Sequence, residues 1–435
     1  MKSPTSPAAP KASPLAHHDF RLLFSSSSIS ALGDQFTLVA LPWLVLKLTG
    51  SPAALGLVLA TMALPRAAFM LVGGAVVDRL SPRRVLLWAR GINALLIGTL
   101  TVLVFSGAIR MPLVYALALG IGLSTAFAYP ASSALLPRLL SPQLLQPANA
   151  LMMGMRQLSL FVGPGLAGLV IGTGAAATAA TRRMVDAHGL GMAFAIDSAS
   201  FVCSLAALLL IRARDDAHAR APEGHVLGNI LGGLRAIWAD LPLRAFMLYV
   251  AVVAVFVGGP LQVGLPVLAD TQLDHGAASL GILMTANGGG MLVGGFLSGW
   301  VSRRARGRLG LMILSIDSLA GLALAALAFD HSTLVGAALL ACTGVFAGIA
   351  QIAVVSWIQR RVPPAMMGRT MSVLMFAFMG LGPLSAAIAG SLLKLVSLPT
   401  MFAVAGLTLT AIALACMGSP ALRSIGTPLR VPDAA

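Results

Sequence analysis

The sequence predicts an all-α membrane protein of twelve transmembrane helices arranged as a repeated six-span unit, and three observations carry that prediction. The chain of 435 residues is 58% hydrophobic and 10% charged, whereas a soluble domain carries about 25% charged residues. Its apolar residues fall in runs long enough to cross a bilayer, for which about 20 residues suffice. The stretch GGAVVDRLSPRR at 73–84 recurs as GGFLSGWVSRRA at 294–305, and FVGPGLAG at 161–168 has a partner in MGLGPLSAAIAG at 379–390, with offsets of 221 and 219 residues. Two unrelated landmarks sharing nearly one offset point to an internal duplication, a plan found in secondary transporters.

In chain order, residues 1–26 read as a cytoplasmic tail. Its first 19 residues are rich in Pro, Ala and Ser, with no apolar h-region after Lys2, so no cleavable signal peptide is expected. Spans are expected at 27–47, 52–77, 85–106, 111–135, 149–173 and 190–211, forming a first bundle over 27–211. Residues 212–242 form a polar linker whose apolar stripe of Val226, Leu227, Ile230, Leu231, Leu234, Ile237 and Trp238 has helical spacing. It reads either as an amphipathic helix on the membrane face, with Trp238 at headgroup depth, or as an extension of span seven. A second bundle over 243–417 has spans at 243–269, 278–301, 308–329, 332–356, 370–396 and 398–417, and residues 418–435 form a tail. An even count of spans puts both termini on one side.

That side is set by the turn after Asp78-Arg79, which carries Arg83 and Arg84 past Pro82 and is too short for a domain. Short basic loops stay in the cytoplasm. A net charge of +15 is also what a nucleic-acid binder would carry, so the placement of the 29 Lys and Arg decides. Only Lys47, Arg110, Arg182, Arg183 and Lys394 fall outside and only Arg66 and Arg156 within spans, the rest lying in or beside cytoplasmic segments. This is the asymmetry of a membrane protein, and no nucleic-acid partner is expected. The excess of Arg over Lys suits a GC-rich bacterial genome, and hence the cytoplasmic (inner) membrane of a bacterium. Cys203, Cys342 and Cys416 sit far apart in apolar runs and read as small buried hydrophobes, not as a disulfide or metal ligands.

Movement against a gradient needs an energy source. No lysine follows a glycine directly, so no P-loop is present, and no cofactor is expected. His17, His18, His188, His218, His225, His275 and His331 all fall in expected tails or loops, so a proton relay would have to use carboxylates. Three lie within spans: Asp34, Asp197 and Asp317. A charge at membrane depth costs about 2.5–3.5 kcal/mol on insertion scales, so such groups face a cavity or a partner. Asp34 and Arg66 sit at similar depth, roughly 15–18 Å from the cytoplasmic ends of their spans. They are expected to pair, either near a cavity, where Asp34 takes up a proton or binds a cationic substrate, or as a structural tie between helices. Arg156 and Asp197 differ in depth by about 10 Å, which disfavours a direct pair. Asp317 has no arginine at its level, so a proton or a polar neighbour is expected there. Gln35, Asn93, Gln157, Gln262, Asn287 and Gln351 either line a cavity or bond helix to helix. Neither HExxH nor GxSxG occurs, and no enzymatic activity is expected.

The whole chain resembles the major facilitator superfamily, in particular its drug and siderophore exporter branch. The likeness is carried by DFRLLF at 19–24, ALGDQFTLVALPWLV at 31–45, LTGSPAALGLVLATMALPR at 48–66, the 73–84 signature, QPANALMMGMRQLSLFVGPGLAG at 146–168 and QRRVPPAMMGRTMS at 359–372. The resemblance implies two pseudo-symmetric six-helix bundles rocking about a central cavity. It also implies that Gly154, Gly163, Pro164 and Gly168 form a span-five motif like that of antiporters. Gly74, Asp78, Arg79, Arg83 and Arg84 would form a gating loop, with Asp78 at the positive end of a neighbouring helix and the arginines on loop carboxylates or anionic lipids. Ser81-Pro82 replaces the family's usual turn glycine, and Gly299 stands in the second copy where the first has Asp78, so a one-sided latch is expected. The function expected is proton-coupled export of a hydrophobic or amphipathic small molecule by a monomer. An uptake symporter of the same fold and a non-transporting sensor or scaffold are the alternatives.

Overall fold

In the computed structural model the described residues are 13–172, 179–212, 237–305, 307–362, 366–367, 370–371, 374 and 380–426, without the side chains of 70–76, 78–79 and 179–186. Six helices make up the first half: α1 (His18–Thr49), α2 (Pro52–Arg79), α3 (Pro82–Phe105), α4 (Met111–Leu139), α5 (Pro142–Gly172) and α6 (Ala179–Leu209). The second half has α7 (Leu241–Thr271), α8 (Ala277–Arg304), α9 (Leu309–Ala326), α10 (Thr333–Arg361), α11 (Gly382–Leu392) and α12 (Leu398–Cys416). Eleven of these are long and apolar enough to cross a membrane, and α11 is the shorter described part of the span expected at 370–396. Most of the linker, including the stripe from Val226 to Leu234, lies outside the described residues.

Local chemistry sets the turns. α1 stops at Gly50, which takes the left-handed conformation (φ 59°) and donates its N–H to the Leu46 carbonyl. In the turn between α2 and α3, Ser81 is extended and Pro82 begins α3, where the missing N–H has no intrahelical partner to lose. Arg83 donates to the Leu209 carbonyl at 3.0 Å, so it caps the negative end of α6. Gly74, Asp78 and Arg79 belong to the last turns of α2, and their expected gating contacts lie outside the described side chains. In α7, a wide π-type stretch over Pro260–Gly264 absorbs the proline.

The packing repeats with a shift of six helices. α1 packs on α5, α2 on α4 and α3 on α6, and likewise α7 on α11, α8 on α10 and α9 on α12. Across the halves, α5 meets α8 and α2 meets α11, positions that exchange under the same shift. Glycines allow these crossings. A Cβ on Gly281 would lie 2.6 Å from the Pro164 carbonyl oxygen and 2.8 Å from the Gly168 Cα, and one on Gly390 would lie 2.3 Å from the Pro52 carbonyl oxygen. Thus Gly163, Pro164 and Gly168 all sit where helices approach closely, with Gly163 against the Gln35 side chain, whereas a Cβ on Gly154 would touch nothing within 4 Å.

These crossings are not spread evenly along the membrane normal. At the end bearing the α1–α2 turn, one continuous apolar core draws on both halves, from Trp43, Leu44 and Phe194 to Val263, Leu268 and Phe402. Lys47 and Asp270 close that end with a 2.7 Å ion pair between α1 and α7, and the Lys47 ammonium sits 4.7 Å above the Trp43 ring. Towards the end bearing the α2–α3 turn, the core divides into one cluster per half. The halves are therefore joined at one face and separate towards the other.

The cysteines are a correction to the sequence expectation. Cys203 and Cys342 are exposed and Cys416 is half-buried, because a surface position in a span faces lipid, where a small apolar side chain is as well solvated as in a core. His188, expected in a loop, lies within α6 with its ring edge-on to Phe105 at 5.6 Å.

Candidate functional site

A cavity of about 470 Å³ lies among the helices of the first half, and every lining residue comes from α1 to α6. Its floor and mouth can be placed by helix rise. The lining reaches Leu136, three residues or about 5 Å from the end of α4 on the α2–α3 face, but on the other face stops at Pro42 and Leu59, each about 10 Å from its helix end. The cavity thus approaches the face where the halves separate and is closed off from the face where they join.

The wall between α1 and α6 is fixed by small and hydroxylated side chains. A Cβ on Gly33 would meet the Ser200 hydroxyl at 2.0 Å, so glycine lets these helices touch. Ser26 and Ser204 share a hydrogen bond at 2.7 Å. Asp197, 0% exposed, accepts hydrogen bonds from the Thr37 hydroxyl and, at 3.3 Å, from the Ser200 hydroxyl. The neighbour of Gly33, Asp34, is exposed although it lies deep in the bundle, because the cavity reaches it.

Arg66 from α2, Arg90 from α3 and Arg156 from α5 line the same cavity as Asp34 and Asp197. Asp34 is attracted by Arg90, Arg66 and Arg156, while Arg90 also attracts Asp197. None of these attractions is a contact. Among the described residues the ion pairs are His18–Asp19, Lys47–Asp270 and Arg361–Asp240, and no cavity arginine comes within 4.0 Å of a carboxylate. The Arg90 guanidinium lies 5.3 Å from the Phe201 ring centroid and that of Arg156 5.9 Å from Tyr129, so aromatic faces support the cations. The Nε of Arg90 is buried without a hydrogen-bond partner.

The expected pair of Asp34 and Arg66 is therefore corrected: the two share the cavity without touching, and Asp34 faces three guanidiniums. By sequence Arg90 groups with the cytoplasmic charges, since it falls only five residues into an apolar run. Yet it is eight residues inside α3, about 12 Å deep. The depth gap expected between Arg156 and Asp197 closes as well. Because α5 starts at Pro142, seven residues before its apolar run, Arg156 is about 21 Å deep, against about 18 Å for Asp197 measured from the end of α6.

Asp317 is not among the cavity residues. It accepts a 2.7 Å hydrogen bond from the hydroxyl of Tyr249, a residue only 4% exposed, which is the polar neighbour expected of it. The amides separate too. Gln35 and Asn93 line the cavity, Asn93 accepting from Ser124 and donating to Thr125, whereas Asn287 ties α8 to the Leu340 carbonyl of α10 at 3.2 Å. Met62, Met152, Met153 and Met155 supply an adaptable apolar wall.

The family model of the Major Facilitator Superfamily matches residues 23–387. The multidrug efflux pump Tap of Mycolicibacterium fortuitum is 28% identical over 416 residues, covering 93% of this chain and 96% of that protein. The enterobactin exporter EntS of Shigella boydii is 25% identical over 353 residues, 81% of this chain and 80% of that protein. Among solved structures, the nucleoside transporter NupG superposes with a TM-score of 0.67 at 13% identity over 92% of this chain and 98% of that one. A bacterial homologue of the iron transporter ferroportin in an inward-facing state gives 0.66 at 16% identity over 92% and 99%. At such identities the structures speak for the fold alone. Two packed halves, apolar helices of spanning length, and relatives that are themselves transporters describe a multi-pass membrane transporter and not an enzyme, and the chain belongs to the Major Facilitator Superfamily.

Proposed function

We propose that this chain is a proton-coupled exporter of hydrophobic or amphipathic small molecules, acting as a monomer in the cytoplasmic membrane of a bacterium. The observation that carries this reading is an acidic group, Asp34, held at membrane depth in a cavity that approaches one face only. A proton on Asp34 changes the charge of the cavity by one unit, and Arg90, Arg66, Arg156 and Asp197 all feel that change. Proton occupancy and substrate occupancy then compete or couple through one electrostatic environment, which is the linkage that proton-driven transport needs.

The orientation follows from the basic turn of Arg83 and Arg84, which we assign to the cytoplasm together with both termini and with the anionic lipid headgroups there. The cavity then approaches the cytoplasmic face, where an exporter loads. In this reading residues 27–211 and 243–417 are the two rocking bodies, 212–242 is their cytoplasmic tether, and Gly163, Pro164 and Gly168 are the close crossing about which they move. The relatives named as an efflux pump and an exporter favour outward transport over the uptake alternative.

The test is a substrate panel in vesicles reconstituted with an imposed pH gradient. The native chain should accumulate substrate against its gradient when protons flow the opposite way. Asp34→Asn should lose uphill movement while keeping downhill exchange. Uphill transport by Asp34→Asn at the native rate would overturn the coupling role, and accumulation driven by protons flowing in the same direction as substrate would establish the symporter instead.

A further inference from the structure

Resting on the reading that this cavity is the substrate site, we propose that it selects amphipathic organic anions, whose charged group docks among Arg66, Arg90 and Arg156. The cavity holds three guanidiniums and two carboxylates. Asp197 accepts from the hydroxyls of Thr37 and Ser200 within the α1–α6 wall and contacts no arginine. Three cations against two anions leave one positive charge in excess, and Asp34 contacts none of the arginines within 4.0 Å.

Guanidiniums without an ionic contact around a cavity are an unfinished electrostatic arrangement. They repel one another, they keep open hydrogen-bond donors, and the buried Nε of Arg90 has no partner. Hydroxyl donors of Ser27, Ser28 and Ser30 on α1 are likewise buried and unpaired. A ligand carboxylate, sulfonate or phosphate supplies what is missing, because arginine forks bind such groups in a bidentate way. An organic cation would meet net positive charge and would have to compete with the arginines for Asp34. Around this polar centre Met62, Met152, Met153, Met155, Tyr129 and Phe201 form the apolar lining for the rest of the molecule. A volume of about 470 Å³ suits a body of two to four fused or linked rings.

Two dyes sharing a xanthene body test this directly: fluorescein, an anion, and rhodamine 123, a cation. Equilibrium binding is read by fluorescence polarisation with the full chain in nanodiscs of neutral phosphatidylcholine, so neither a gradient nor a direction of transport enters. Fluorescein should bind about tenfold or more tightly than rhodamine 123. Arg90→Gln should weaken fluorescein about tenfold, the scale of one charge-assisted hydrogen-bond set, without weakening rhodamine 123. Arg90→Lys should recover part of the loss, and Asp34→Asn should tighten fluorescein by removing the competing carboxylate. Arg156→Gln, at an exposed position, provides the same reading if Arg90→Gln does not fold. Equal or tighter binding of rhodamine 123, no saturable fluorescein binding, or fluorescein affinity indifferent to the arginine changes would each overturn the proposal. Failure of the export reading shows instead in the vesicle gradients, where Asp34→Asn would pump like the native chain.

Discussion

The two halves of this molecule share a packing plan and differ in how they treat charge. In the first half, Arg66, Arg90, Arg156 and Asp34 surround a cavity and none is locked to another. In the second, Asp240 and Asp317 have partners within their own half. Asp240 caps the start of α7 by accepting from the Leu243 N–H, and it holds Arg361 through two contacts of 2.7 and 2.9 Å. Arg361 lies 5.7 Å from the Trp357 ring, which is edge-on to Phe246 at 5.3 Å. Asp317 has Tyr249. A duplicated unit has kept its helix crossings in both copies while its charged groups diverged, available for a ligand in one copy and, at Asp240, Arg361 and Asp317, paired within the protein in the other. The gating signature follows the same division, with Asp78 in the first copy and Gly299 in the second.

Removing charges should therefore cost stability in the second half and little in the first. Arg361→Ala leaves a carboxylate only partly solvated, with side chains 17% and 30% exposed in the pair. That lies between a surface pair and a buried one, so a loss of about 2 kcal/mol is expected, read as a lowered melting temperature by tryptophan fluorescence. Arg156→Ala should stay within about 0.5 kcal/mol of the native chain, since this exposed residue has no ionic contact to lose. Equal losses in the two variants would erase the distinction between the halves.

Tyr249→Phe sharpens the contrast at membrane depth. It deletes the hydroxyl donated to Asp317 and should destabilise by about 1 to 2 kcal/mol, the cost of leaving a buried acceptor unmade. Transport in vesicles should remain within about twofold of native, because Asp317 lies outside the cavity. A collapse of uphill transport like that expected for Asp34→Asn would bring Asp317 into the coupling and end the division of labour.

How much of this was legible in the sequence depended on which physical constraint did the writing. The bilayer demands long apolar runs, so the spans could be read, and the duplication could be read from Gly-Pro and the basic turn. Depth was read less well, because apolar runs mark the hydrocarbon core and helices overrun it. α1 starts at His18 and α5 at Pro142, nine and seven residues before their runs. Arg90 was lost for the same reason, since an arginine near the start of a run resembles an anchor at the membrane edge. Its position seven residues after Arg83, two turns further in, was the available signal. That Asp34 faces three arginines and Asp197 faces hydroxyls depends on how the helices are rotated against one another, which one sequence does not encode.

The smallest expected effect concerns the seam between the halves. Lys47 and Asp270 are 36% and 25% exposed, so their ion pair contributes at most about 1 kcal/mol, and salt should weaken it. Small as that is, it acts wholly on one side of a two-state equilibrium, because the pair joins α1 to α7 only while the α1–α2 face is shut. Lys47→Met keeps an unbranched apolar stem against Trp43 and removes the charge, which should shift the population toward opening at that face by up to about fivefold. Spin labels placed across the seam should register the shift as a longer-distance population that grows in the variant. Raising salt should reproduce part of the shift in the native chain and none in Lys47→Met. Identical distance distributions in the two proteins at low salt would show that the apolar core shared by the halves and the glycine crossings hold this face shut without help from charge.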